Sequence, residues 1–385
     1  MAPPHEGEWD CYVGSLNSPK HRLLLSASGA VVYAAPGYVL YRHNLALMAQ
    51  RFDAGRLELK GEPTPIPGVL LGTSGLFGEP SASASKNGTL ACPNSRLADT
   101  QLIWFDRRGS PVDTVDAPPG RYEMVAVAPD SRRIATSRVD ATGKKDIWVV
   151  DPVRGASRLT FESEGSDWPV WSRDGRRVFF ISSHNGRNGI YQKPVDGSQP
   201  EQLVYQQSAP WAVPTSESPD GRFLAFHMPS QGTGTDIWLV PLLGDHTAIP
   251  YVQTSSDDYM CDISPDGRWA AYSSGESGTA EVYVQSFPTP GRKYQISTEG
   301  GFGPGWARGG EEIQYLCPPN KLMAVELRTS PTFQAGKPRF LNKMPEGPGG
   351  TTAPDGERSL VTVPVGDTPA SSYTIMLNWT QALEH

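Results

Sequence analysis

The feature that most constrains this chain is a short phrase that returns along it: Ser172-Arg173-Asp174-Gly175-Arg176, Ser218-Pro219-Asp220-Gly221-Arg222 and Ser264-Pro265-Asp266-Gly267-Arg268. Ala128-Pro129-Asp130-Ser131-Arg132 precedes these copies and Ala353-Pro354-Asp355-Gly356-Glu357 follows them. In such a phrase proline presets φ, aspartate bonds the backbone ahead of it, and glycine takes the left-handed region that other side chains resist. The phrase is therefore a hairpin turn. Apolar runs rich in β-branched and aromatic residues follow each copy, first Val178-Phe179-Phe180-Ile181 and its equivalents, then Asp146-Ile147-Trp148-Val149-Val150, Asp236-Ile237-Trp238-Leu239-Val240 and Glu281-Val282-Tyr283-Val284. These are strands bounded by turn chemistry. The copies recur about every 44 to 46 residues, the period of a four-stranded β-propeller blade.

Weaker copies extend the pattern. The stretch from Val39 to Pro63 tracks that from Ile313 to Pro338, and Ser85-Lys86-Asn87-Gly88 with Leu102-Ile103-Trp104-Phe105-Asp106 marks another unit. The expectation is one all-β propeller spanning 1–385, with eight four-stranded blades and seven as the alternative count. Asp10–Leu16 reads as the third strand of a blade whose first two strands come from Ala353–Val363, so N- and C-terminal strands would close the ring without an unpaired edge. The high content of glycine (40) and proline (36) suits many short strands joined by tight turns.

A formal net charge of −7 argues against a nucleic-acid partner, which demands clustered Lys and Arg. Cys11, Cys92, Cys261 and Cys317 lack the close pairing of a zinc site and read as isolated thiols, with a disulfide as the alternative. The sequence has neither a signal peptide nor an eighteen-residue apolar run. The ending Leu383-Glu384-His385 matches the start of a vector-encoded histidine tag, which suggests an excised domain.

The repeated Ser-Pro-Asp-Gly-Arg phrase with its Asp-Ile-Trp strand resembles the TolB-type branch of WD-type β-propellers over nearly the whole chain. A narrower likeness rests on Gly37-Tyr38-Val39-Leu40, Leu47–Asp53, Leu102–Arg107, Glu281–Pro288 and Leu377-Asn378-Trp379. These segments resemble the propeller that follows the membrane helix of bacterial serine/threonine protein kinases. That resemblance implies an extracytoplasmic sensing or interaction module, tethered to a membrane in the full-length protein. The kinase motifs themselves are absent from this sequence. Gly72-Thr73-Ser74-Gly75-Leu76 and Gly275-Glu276-Ser277-Gly278-Thr279 echo a nucleophile elbow only loosely and read as loops.

Propellers bind at the channel mouth, where the loops leading into the innermost strands converge. Those loops carry Tyr122-Glu123, Asp167-Trp168, Trp211, Asp257-Asp258-Tyr259 and Phe302, an aromatic residue recurring in each repeat and usually beside an acid. Stacking aromatics with neighbouring carboxylates would hold a ligand; aromatics that merely fill the wedge between blades would recur in the same way. Glu217 departs from the repeat, replacing the apolar Val127, Trp171 and Ile263 of its neighbours, and reads as an acid facing the channel. The expected function is non-catalytic recognition of a protein, peptide or glycan, with no cofactor and no metal. The alternative is a lactonase-like metal-dependent hydrolase or lyase, with Ca²⁺ held in the channel by Glu123, Asp167, Glu217 and Asp257.

Overall fold

A computed structural model describes residues 9–15, 20–27, 30–43, 46–70, 82–93, 99–140, 143–161, 165–184, 187–207, 209, 211–330, 332–366 and 373–383. Gly72–Leu76 and Glu384–His385 lie outside these residues. The chain divides into two compact units, Asp99–Val365 and Met1–Ala98 with Gly366–His385.

In Asp99–Val365 the turn phrases do what their chemistry dictates. In each of the three Ser phrases the serine hydroxyl donates to the aspartate carboxylate at 2.6 Å, as from Ser172 to Asp174, and the aspartate accepts the backbone N–H two residues on. Gly175, Gly221 and Gly267 sit at φ of +66° to +67°, and Ser131 adopts φ +57° in the same place. Each turn joins an innermost strand to the second strand of a four-stranded antiparallel sheet.

Six such sheets follow one another. Blade 2 is Arg121–Val127, Ile134–Val139, Lys145–Asp151 and Gly155–Arg158; blade 3 is Ser166–Trp171, Arg177–His184, Arg187–Pro194 and Gln202–Gln206. Blade 4 is Val213–Glu217, Phe223–Ser230, Gly234–Pro241 and Ile249–Val252; blade 5 is Asp258–Ile263, Trp269–Ser274, Glu281–Ser286 and Lys293–Gln295. Blade 6 is Phe302–Ala307, Glu312–Cys317 and Lys321–Arg328, with both Gln334–Ala335 and Arg339–Lys343 on the last of these. Blade 1 is composite: Gly350–Thr352 and Arg358–Pro364 from late in the chain pair with Thr100–Asp106 and Pro111–Thr114.

The all-β propeller expected from the sequence is the architecture observed, but its closure is made elsewhere. Arg358–Pro364 runs antiparallel to Thr100–Asp106 in unbroken register, Arg358 opposite Asp106 and Pro364 opposite Thr100. The expected partner, Asp10–Leu16, instead overlaps Trp9–Gly14, which pairs with His21–Ala27. Both candidate strands carry the apolar pattern of a third blade strand, so pattern alone did not choose between them. The six sheets close their own cycle, where eight or seven blades were expected in one ring.

Apolar side chains fill the wedges between neighbouring blades. Trp171, Val178 and Phe180 of blade 3 meet Ile147 and Val149 of blade 2, and equivalent clusters join blades 1 and 2, 3 and 4, 4 and 5, and 5 and 6. The closing joint between blades 6 and 1 carries a polar clamp: Glu312, 1% exposed, takes both nitrogens of Arg107 at 2.8 and 2.9 Å and one of Arg339 at 2.9 Å.

In the other unit, Val32–Ala34, Tyr38–His43, Ala46–Asp53 and Glu58–Leu70 form a four-stranded sheet. Ser83–Ala84, Thr89–Pro93 and Tyr373–Leu377 form a three-stranded one. Leu40, Leu47, Leu90 and Trp379 share the core of this unit. Cys92, Cys261 and Cys317 are buried and Cys11 is half-buried, all as free thiols.

Candidate functional site

The innermost strands of blades 2, 3, 5 and 6 each break register near their start. Tyr122 pairs with Arg138, Asp167 with Ile181, Tyr259 with Ser273 and Phe302 with Leu316, and in each strand the pairing then skips. A bulge at this place re-aims side chains and tightens the local twist. Trp168 at φ +55°, Met260 at +54° and Gly303 at +61° occupy the bulges of blades 3, 5 and 6. A tryptophan in the left-handed region is uncommon and strained; the Trp168 N–H donating 2.8 Å to the Asp167 carboxylate helps to hold it.

The register also corrects the expected equivalence. Tyr122, Asp167, Tyr259 and Phe302 are the structurally matching residues, and Trp168 stands one place further on, at the position that Glu123 holds in blade 2. Tyr122 is buried among Leu102, Trp104 and Ile134, with its hydroxyl donated to the Pro118 carbonyl, so it fills the wedge between blades 1 and 2. Burial pushes its phenol up.

Glu123 and Asp167 are brought together by a residue that the sequence reading overlooked. Lys145, from the third strand of blade 2, places its ammonium 2.8 Å from Glu123 and 2.7 Å from Asp167. Arg121 reaches the other Glu123 oxygen at 2.6 Å, and the Ser137 hydroxyl donates to Asp167. Burial works against the Lys145 ammonium, but the two carboxylates more than offset it and hold its pKa above the usual value.

A second group joins blades 4 and 5. His227, buried in the second strand of blade 4, meets Trp211 edge-on at 5.6 Å, with Tyr259 tilted at 6.5 Å. Burial lowers its pKa to about 4, so the imidazole is neutral near pH 7. Asp258 is buried and accepts the Thr254 N–H at 2.8 Å; burial raises its pKa despite that bond. Asp257 is exposed and accepts the Thr235 N–H at 2.8 Å. Phe302 is half-buried. Among the described residues, no group of three or more His, Cys, Asp and Glu is arranged to hold a metal ion.

Glu217 lies apart from all of these, at the turn end of its innermost strand. It accepts the Arg173 N–H at 2.6 Å and an Arg177 nitrogen at 3.1 Å, both from blade 3. The Arg173 guanidinium continues past Glu217, donating to Ser216 at 3.1 Å, to Asp262 of blade 5 at 3.2 Å and to the Ile263 carbonyl. The acid expected to face the channel is instead the middle member of a strut across three blades, between Arg173 and Asp262.

No protein-family model matches this sequence. An uncharacterized protein of Agrobacterium fabrum is 25% identical over 204 residues, which span 49% of this chain and 68% of that protein. A solved structure designated TolB from Agrobacterium tumefaciens superposes with a TM-score of 0.53 at 14% identity, over 70% of this chain and 99% of that one. The fold is that of a TolB-like β-propeller. TolB from Acinetobacter baumannii gives a TM-score of 0.47 at 17% identity, over 81% of this chain and 82% of that one.

Within this TolB-like ring, sequence reasoning missed a groove of about 580 Å³ that Tyr205 of blade 3 lines with Met228, Trp238 and His246 of blade 4 and its following loop. It lies toward the outer strands, away from the ten residues expected at the channel mouth. No helix among the described residues is long and apolar enough to cross a membrane.

Proposed function

We propose that this propeller is a non-catalytic recognition module that binds a protein, peptide or glycan on the face where its innermost strands begin. It would serve as the extracytoplasmic sensor or interaction domain of a membrane-tethered bacterial signalling protein. The observation that carries this reading is the half-buried aromatic set on that face: Trp168 on a strained bulge, Trp211 and Tyr259 against His227, and Phe302 at the start of blade 6. Aromatic anchors with satisfied polar neighbours are what recognition surfaces use. The neighbouring acids Glu123 and Asp167 already hold Lys145, while Asp257 stays exposed. The placement outside the membrane and beside a kinase rests on the resemblance of the sequence segments.

The test is a thermal-shift screen of the full chain against peptides, oligosaccharides and divalent cations, repeated with Trp168→Ala and Asp257→Asn. Ligands of the native state raise Tm by mass action. A peptide or oligosaccharide shift in the native chain that is lost in Trp168→Ala supports the reading. A Ca²⁺ shift lost in Asp257→Asn, accompanied by turnover of lactones or esters, overturns it in favour of a metal-dependent hydrolase.

A further inference from the structure

From the edge of the three-stranded sheet we infer a self-association surface: strand Tyr373–Leu377 pairs antiparallel with the same strand of a second copy of this chain. The complete blades of the ring have four or five strands, whereas this sheet has three. Tyr373–Leu377 has Thr89–Pro93 on one side and, among the described residues, no strand on the other. Its edge therefore offers a row of backbone donors and acceptors to another strand.

The side chains favour that use. Tyr373, Ile375 and Leu377 alternate along the strand and so share one face, where they are 63%, 58% and 70% exposed. Trp379, fully buried just beyond, meets Tyr38 edge-on at 5.3 Å and donates its backbone N–H to the Gly88 carbonyl at 3.3 Å, which fixes the end of the strand.

Charge decides the occupant. Natural sheet edges are blunted by charges, by proline or by being very short, and most outer strands of the ring follow that rule with Asp113, Arg158, Pro250, Lys293 and Arg339. Of the outer strands without charge or proline, Gln334–Ala335 has only two residues, and Gln202–Gln206 ends in glutamine on both sides. Tyr373–Leu377 contains neither a charge nor a proline. Two-fold pairing about Ile375 sets Ile375 opposite its own copy and Tyr373 opposite Leu377, so no like charges meet and apolar side chains face one another. A single strand edge and three side chains per copy fall short of the roughly 800 Å² per partner of a standard stable complex, so the pairing is concentration-dependent.

The experiment is sedimentation velocity on the full chain from about 1 to about 200 μM, spanning the range of a weak dimer. The native chain should move toward twice the monomer mass. Ile375→Lys places like charges directly opposite and should weaken association at least about tenfold, with Tm unchanged. As a second readout, Ile375→Cys in a Cys11→Ser background, treated with a copper catalyst under dissolved oxygen as the two-electron oxidant, should form a disulfide-linked dimer, because residue 375 faces itself. A native chain that stays monomeric throughout overturns the inference. So does Ile375→Lys that associates as well as the native chain, or Ile375→Cys that stays uncrosslinked.

Discussion

Two buried glutamates, Glu217 between blades 3 and 4 and Glu312 between blades 6 and 1, are each held by two arginines, yet their carboxyls shift in opposite directions. Glu312 is opposed by the same desolvation as Glu217, but both of its oxygens meet Arg107 in a paired fork, Arg339 adds a third contact and Gln314 a fourth at 2.7 Å. Those bonds win, and the Glu312 carboxyl is held below the usual glutamate range. Glu217 has the Arg173 N–H and one Arg177 nitrogen at 3.1 Å. Here burial wins, and the carboxyl is raised. The number and geometry of the partners, not burial or the presence of arginine, decides in which direction the pKa of a buried acid moves.

The largest effect should come from breaking the stronger clamp. Arg107→Met leaves Glu312 buried without its paired fork, and removing one partner of a buried pair costs about 3–5 kcal/mol. Because Arg107 and Glu312 join the two blades that close the ring, urea unfolding should show that full loss. A loss near zero would mean that Arg339 and Gln314 alone hold the acid, and the contrast between the two glutamates would fail.

The weaker clamp sits at an exception to the repeat. At neighbouring joints the turn proline packs on the next turn glycine: a Cβ on Gly267 would lie 3.6 Å from Pro219, and one on Gly310 3.5 Å from Pro265. Arg173 replaces that proline in blade 3, and a Cβ on Gly221 would meet nothing within 4 Å. Arg173→Pro removes both the N–H that Glu217 accepts and the strut to Asp262, so it should cost about 2–3 kcal/mol in the same unfolding assay. Adding Glu217→Ile rebuilds the apolar joint of blades 4 and 5. That double variant should recover to within about 1 kcal/mol of the native chain, a coupling that independent sites would not show.

That joint also marks what the sequence could and could not reveal. The turn phrases were legible because proline, aspartate and glycine act locally, and they gave the strands and the propeller class. Ring closure depends on which of two similar strands, Thr100–Asp106 or Trp9–Gly14, takes the register of Arg358–Pro364, and no local pattern encodes that choice. The departures at Arg173 and Glu217 were both visible, in adjacent repeats; pairing them would have predicted the strut, since an acid that replaces an apolar residue needs a donor and a non-proline turn residue supplies one. Lys145 was invisible as a partner of Glu123 and Asp167 because its strand position is set by sheet register. The one-residue offset of Trp168 is a bulge, which shifts pairing without changing composition.

The smallest expected effect is the sharpest on sign. Glu312, with its folded pKa below the usual range, contributes stability that is present above the pH where an unfolded glutamate titrates and is lost as pH falls through the lower folded value. Glu217, raised in the folded state, does the reverse: its contribution is full below the unfolded titration and is lost as pH rises through the raised value. Glutamine keeps the shape of either side chain and cannot titrate. Glu312→Gln should therefore lower Tm more at about pH 7 than at about pH 4, and Glu217→Gln more at about pH 4 than at about pH 7. Two curves of the same slope would show that both clamps hold a charged carboxylate alike, and the distinction would then have to rest on the strut geometry of Arg173 alone.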